Sequence, residues 1–212
     1  MNAPCPEELY RPSLSRGSTG FPAPPVKSTQ TEIFCDSESA AGFTFALSQA
    51  LSACEVSQPN WMMVQDKRSR RLTGTPFYHG LSPRLNAGLV LVACETVSDS
   101  LFAMEEGLRC GDLDFVIGEI YGDPREIDFT ASRRLSVASE KFNVPLYLVR
   151  LDATANLSAA RRRWRIENAA SREGDQFDIM PRWRAELFRS RDVNPGIWSG
   201  GLAEMVKGDV AA

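Results

Sequence analysis

The chain has a single histidine, His79, and none of its five cysteines forms a C-x-x-C pair. Zinc sites draw clustered thiolate or imidazole ligands at short spacing. Cys5, Cys35, Cys54, Cys94 and Cys110 do not cluster, which argues against a zinc centre and for reduced thiols in a cytoplasmic protein. His79 has no acidic or thiol neighbour in sequence and reads as a turn histidine. Ser132 lies in no nucleophile elbow, and no Ser–His–Asp order can be argued from the single histidine. Glu105 and Glu106 are consecutive on a helix and point apart, which suits no shared acid–base work.

Long hydrophobic runs are missing too. No apolar stretch approaches the ~18 residues of a membrane-spanning helix. The segment MNAPCPEELYRP has no basic region leading into an apolar core, so no secretory signal is expected. Lysine is scarce: Lys27, Lys67, Lys141 and Lys207 are the only lysines among 24 basic residues. A formal charge of −3 is not that of a generically basic nucleic-acid binder.

What is present is ordinary globular material. With 43% apolar and 24% charged residues, the 212-residue chain can bury a core without staples. Residues 1–28 hold Pro4, Pro6, Pro12, Pro22, Pro24 and Pro25 of the 13 prolines, and are expected to be a disordered tail. Residues 29–206 read as one α/β domain and 207–212 as a C-terminal tail. Within the domain, strands are expected at 31–35, 61–64, 88–93, 115–118 and 146–149. Helices are expected near 38–54, with Phe43, Leu47, Ala50, Leu51 and Cys54 on the apolar stripe, after Ser98, and after Asp128. Repeated β-α units imply a mostly parallel sheet with helices on both faces, a three-layer arrangement. Beyond residue 157 the apolar period drops towards two at 161–169, 181–189 and 196–205, which suggests antiparallel C-terminal strands at one sheet edge.

A strand, turn and helix at 31–54 is where nucleotide-binding proteins carry a phosphate loop, G-x-x-x-x-G-K-[ST]. The glycines let backbone N–H groups wrap phosphate, the lysine neutralises it, and the hydroxyl reaches magnesium. The eight residues here are Ser37-Glu38-Ser39-Ala40-Ala41-Gly42-Phe43-Thr44. Gly42 and Thr44 keep their types, whereas Ser37 replaces the first glycine and Phe43 the lysine. Asp36 and Glu38 add negative charge where a triphosphate needs positive charge. No nucleotide, metal or other cofactor is expected at this degenerate loop. Glu119, ending the apolar run Phe115–Gly118, stands where a magnesium-holding carboxylate would, though an acid at a strand end is common.

Basic residues gather in two places. Lys67-Arg68-Ser69-Arg70-Arg71 reads as a loop after a strand, able to hold phosphates or simply to be solvated. Two Arg-Trp-Arg triplets at 163–165 and 182–184 place their arginines opposite the tryptophans if both lie in strands. Trp164 and Trp183 would then anchor the core, leaving Arg163, Arg165, Arg182 and Arg184 as an external basic face. Residues 161–191 hold nine arginines against five acids, a local net of +4, which suits an acidic partner, a nucleic-acid backbone or an ordinary solvated edge.

The segment 31–50 resembles a RecA-type strand, loop and helix whose phosphate loop has decayed. In collinear order, 73–81 (TGTPFYHGL), 89–92, 103–108 (AMEEGL), 116–119 (VIGE), 128–135 (DFTASRRL), Arg163-Trp164-Arg165 and 181–187 (PRWRAEL) resemble the ImuA family of inducible-mutagenesis proteins. The resemblance covers roughly 29–200. It implies a RecA-like fold without a working ATP site, and a non-catalytic accessory role in damage-induced, error-prone translesion DNA synthesis, the SOS mutagenesis branch of DNA repair. Implied partners are ImuB, a Y-family-like polymerase relative, together with RecA and an error-prone replicative-type DNA polymerase. Candidate partner-binding residues are Arg163, Arg165, Arg182 and Arg184, with Arg133 and Arg134 of the TASRRL helix next; Lys67, Arg68, Arg70 and Arg71 are candidates for direct DNA contact. Two other readings stay open. One is a divergent RecA-like ATPase borrowing a lysine such as Lys67; the other is an SOS cell-division inhibitor.

Overall fold

A computed structural model describes residues 15–16, 21–23, 25, 29–169 and 182–201. The expected 207–212 tail, most of the 1–28 tail and the 202–206 end of the third C-terminal segment lie outside the described residues.

The strands are β1 (Ser15–Arg16), β2 (Gln30–Cys35), β3 (Trp61–Asp66), β4 (Leu89–Cys94), β5 (Phe115–Tyr121), β6 (Leu146–Leu151), β7 (Arg162–Asn168), β8 (Arg182–Ser190) and β9 (Gly196–Gly201). They form one sheet in the order β1-β9-β8-β7-β2-β6-β5-β3-β4. From β7 through β4 every pairing is parallel. Only β7–β8 and β8–β9 are antiparallel. The antiparallel segment therefore begins at β8, not at residue 161 as the period-two pattern suggests: β7 joins β2 as another parallel strand.

Helices cover both faces. Helix α1 (Ala41–Ala53) packs Phe45, Ala46 and Ala50 with Ile33, Trp61, Ile117, Val149, Trp164 and Trp183 into one core. On the opposite face, α4 (Val97–Arg109) and α5 (Phe129–Phe142) bury Leu101, Met104, Leu108 and Leu135 against Val116, Leu146 and Leu148. Thus the three-layer α/β architecture is present. No described helix is long and apolar enough to cross a membrane.

Three local expectations change. The buried stripe of α1 runs through Ala41, Gly42, Phe45, Ala46, Gln49 and Ala50, leaving Phe43 and Leu47 half-buried. Its cause is close approach at Gly42, where a Cβ would meet Cys35 Sγ at 2.2 Å; the helix rests its small residues on the sheet and turns Phe43 outward. Helix α4 starts two residues earlier than Ser98 suggests, capped by Thr96, whose hydroxyl accepts from the Asp99 N–H at 3.1 Å. Asp128 does cap α5, accepting from the Ala131 N–H at 2.7 Å.

The third change concerns the amino-terminal segment, expected to be disordered. Phe21 packs edge-on against Phe45 with ring centroids 5.9 Å apart, and the Ala23 carbonyl accepts from Arg162 at 2.6 Å. Deleting residues 1–28 is expected to lose about 1–2 kcal/mol, from the partly buried ring. In a domain of this size that lowers the thermal midpoint by about 3–6 °C. Thermal unfolding of the truncated chain checks it, with Phe21→Ala in the full chain reproducing most of the drop.

Candidate functional site

The degenerate loop, residues 36–40, joins β2 to α1 at the carboxyl ends of the parallel strands, the edge where open α/β sheets bind ligands. A working phosphate loop offers unpaired N–H groups to its ligand. Here the chain's own oxygens take them. The Ser37 N–H donates to Asp152 Oδ1 at 3.0 Å, and the Ser37 hydroxyl to Asp152 Oδ2 at 2.5 Å. The Glu38 N–H donates to Asp36 Oδ1 at 2.6 Å, and the Ala41 N–H to Ser39 Oγ at 3.3 Å. Asp152 follows β6 with φ +48°, a left-handed conformation that an aspartate tolerates and that turns its carboxylate onto the loop. In effect, Asp152 occupies donors that a phosphate would need.

Thr44 is spent as well. Its hydroxyl lies 2.8 Å from the Ala40 carbonyl, to which it donates, and accepts from Trp183 Nε1 at 3.2 Å. A hydroxyl held this way is already engaged both as donor and as acceptor. Under the loop, burial pushes the Cys35 thiol up to about 12, which leaves it inert as a nucleophile.

Beside the loop lies a cavity of about 250 Å³ lined by Glu38, Phe43, Gln65, Leu72, Thr73 and Glu119 among others. Among the described residues, no lysine, arginine or histidine lines it. Glu119 does face the degenerate loop, where its place at the end of an apolar run puts it. Its Oε2, however, accepts from Gln65 Nε2 at 2.6 Å and from the Thr73 hydroxyl at 2.8 Å. Burial, helped by the nearby Asp66 charge, holds the Glu119 carboxyl above the ordinary carboxylate range despite those two donors. Among the described residues no group of three or more His, Cys, Asp or Glu side chains is arranged to hold a metal ion. Lys67, the cation considered for a borrowed role, does not line this cavity; it pairs with Glu95.

A raised carboxyl favours the fold while protonated. Its contribution is present below the unfolded-state value and is lost as pH rises through the folded one. Glu119→Gln, which keeps an acceptor for Gln65 and Thr73, is therefore expected to be more stable than the parent at neutral pH. The two should converge near pH 4, which urea unfolding across pH reads directly.

The two basic groups are arranged differently from their sequence reading. Lys67 to Arg71 is helical, not a loop: α2 (Lys67–Thr73) is capped by Asp66, which accepts from the Arg68 and Ser69 N–H groups, and closed by Gly74 at φ +74°. Arg68 stacks over the Tyr121 ring at 4.0 Å. The arginine face is not an open basic surface. Trp164 and Trp183 are fully buried as expected, and Arg163 does lie opposite Trp164. Yet β7 is interior to the sheet, so Arg163 is buried too. It donates to Glu32 Oε2 at 2.7 Å and sits between the rings of Phe34 and Phe188 at 5.1 and 5.3 Å. Arg165 pairs with Glu186 at 2.7 Å and Arg184 with Glu167 at 3.1 Å, while Arg182 is half-buried. On α5, Arg134 is tied to Glu105 of α4, whereas Arg133 is exposed and forms no ion pair among the described residues.

Sequence reasoning missed the buried chain attached to Glu32. Ser158 donates to Glu32 Oε1 at 2.6 Å, and Ser132 lies 2.7 Å from Ser158. All three are sealed from solvent, so this chain ties α5 and the 158–160 turn to β2 rather than presenting a nucleophile. Asp152 was missed as well, although an acid directly after a buried strand was a visible signal. No family model matches the chain, and no curated protein matches it.

Proposed function

We propose that the chain is a non-catalytic accessory protein of damage-induced, error-prone translesion DNA synthesis. It acts in the cytoplasm through contacts with an ImuB-type, Y-family-like polymerase relative and RecA, in concert with an error-prone replicative-type polymerase. The observation that carries the non-catalytic half is Asp152 seated on the Ser37 donors, beside a cavity with two carboxylates and no cation. The partner half rests on the ImuA-like residue series. A RecA-like reading is supported by a phosphate-loop strand, β2, in the interior of a mostly parallel sheet with antiparallel strands to one side. Material for partner contact is present in exposed apolar side chains: Phe102 on α4, Val137 on α5, and Val90 and Leu91 on the edge strand β4.

Affinity purification of the full chain from DNA-damaged cells tests the reading. Enrichment of a Y-family-like polymerase relative and RecA is expected. Recovery of a tubulin-like division protein in their place would overturn it in favour of a septation inhibitor.

A further inference from the structure

From Lys67 to Cys94 the chain carries five cations, Lys67, Arg68, Arg70, Arg71 and Arg84, and no acid. This stretch is the β3–β4 connection, 67–88, with β4 itself, at the sheet end opposite the arginine-tryptophan strands. Three of the cations are engaged: Lys67 with Glu95, Arg68 over Tyr121, and Arg84 on the Val56 carbonyl at 2.9 Å. Arg70 and Arg71 form no ion pair among the described residues. Their field is felt nonetheless, since Glu95 is held below the ordinary carboxylate range by Lys67 first and then by Arg70 and Arg71.

The same connection exposes aromatic rings. Phe77 is 73% and Tyr78 48% exposed, and both rings meet His79 edge-on, at 5.8 and 5.5 Å. The 3-10 turn Tyr78–Gly80 thus holds a cluster of three rings in solvent. An extended chain from Arg71 to Phe77 spans at most about 20 Å. Water does not favour exposed phenylalanine, and no described residue covers it. Rings exposed to solvent, within about 20 Å along the chain of two guanidinium groups that form no ion pair among the described residues, suit a ligand with π-faces on a polyanionic backbone. An acidic peptide would use the charge but has no general need of the rings. Duplex DNA hides its base faces.

We propose that α2 and the Phe77–His79 turn form a platform for single-stranded DNA, with Arg70 and Arg71 on phosphates and Phe77 and Tyr78 stacking on bases. The choice of DNA rests on the function proposed above; the single-stranded preference rests on the rings. Leu72 to Pro76, between α2 and the ring cluster, line the cavity beside the degenerate loop, so the platform borders that loop.

Fluorescence anisotropy of the full chain with fluorescein-labelled oligothymidylate tests the platform, with a duplex, an oligouridylate and polyglutamate as competitors. Binding to oligothymidylate that the duplex competes with poorly is expected. Phe77→Ala and Tyr78→Ala should each weaken it about tenfold while leaving the salt dependence unchanged. Arg70→Ala with Arg71→Ala should lower the log–log salt slope by about 1.4, since each phosphate contact contributes about 0.7 on a single strand. All four side chains lie at the surface or half-buried, so circular dichroism should show intact folding. Absence of binding by the parent, ring variants that bind normally, or stronger competition by polyglutamate would overturn the platform. Tighter binding of oligouridylate would overturn the assignment to DNA. Each of these results is independent of whether polymerase-type partners co-purify.

Discussion

Arg163→Ala is expected to lower the unfolding free energy by about 3–5 kcal/mol, because it strands a buried carboxylate. Glu32 and Arg163 are direct neighbours across the β2–β7 pairing and are 1% and 4% exposed. Removing the guanidinium leaves Glu32 with the Ser158 hydroxyl on one oxygen and no direct ion pair, with Arg150 acting on it only at longer range. It also empties the space between Phe34 and Phe188. Total stabilities of domains this size are about 5–15 kcal/mol, so about a fifth or more is at stake. Urea unfolding is the measurement. The informative companion is Glu32→Leu with Arg163→Met, in which no charge is stranded. That pair should recover most of the loss, since apolar replacements of buried ion pairs are commonly neutral or better. A single variant as stable as the parent would mean that Arg163 is solvated and that the basic-face reading was right after all.

Trp183→Ala is expected to cost about 3–5 kcal/mol as well, for a different reason. The ring is fully buried, stands edge-on to Phe45 with centroids 5.6 Å apart, and donates to Thr44. It therefore fastens the antiparallel strand β8 to the start of α1. Trp164 is equally buried and packs edge-on to Phe45 at 5.2 Å, but its indole N–H has no hydrogen-bond partner among the described residues. The phenylalanine variants separate packing from hydrogen bonding. Trp164→Phe removes an unsatisfied donor along with some volume, whereas Trp183→Phe removes a made bond. Trp183→Phe should be the costlier of the two by about 1 kcal/mol. Thermal or urea unfolding of the three variants reads both effects.

The parallel strands were legible because residues buried on both faces leave continuous apolar runs, as at 115–118 and 146–149. The degenerate loop was legible because each phosphate-loop position has its own chemistry, so Phe43 and Ser37 report a loss on sight. Helix α2 was not, since Lys67 to Arg71 has no apolar period. Its signal was in the ends: Asp66 three residues before Ser69, and Gly74 where the helix closes. Strand alternation correctly set Arg163 opposite Trp164, but alternation names a face and not what covers it. That Glu32 waits there, 131 positions away, follows from β7 adding beside β2 and from nothing local. The same holds for Asp152, which reaches Ser37 only because β6 and β2 are neighbours. Long-range pairings of this kind decided which cations are spent on the fold and which remain at the surface.

Isothermal calorimetry of the full chain with ATP and magnesium tests the closed loop most directly. With the Ser37 donors held by Asp152, Thr44 held by Ala40 and Trp183, and only carboxylates in the cavity, no heat beyond dilution is expected. Phe43→Lys alone should not change that, because Asp152, Glu38 and Ser37 remain. Micromolar, magnesium-dependent binding by the parent chain would contradict a loop closed by its own carboxylates.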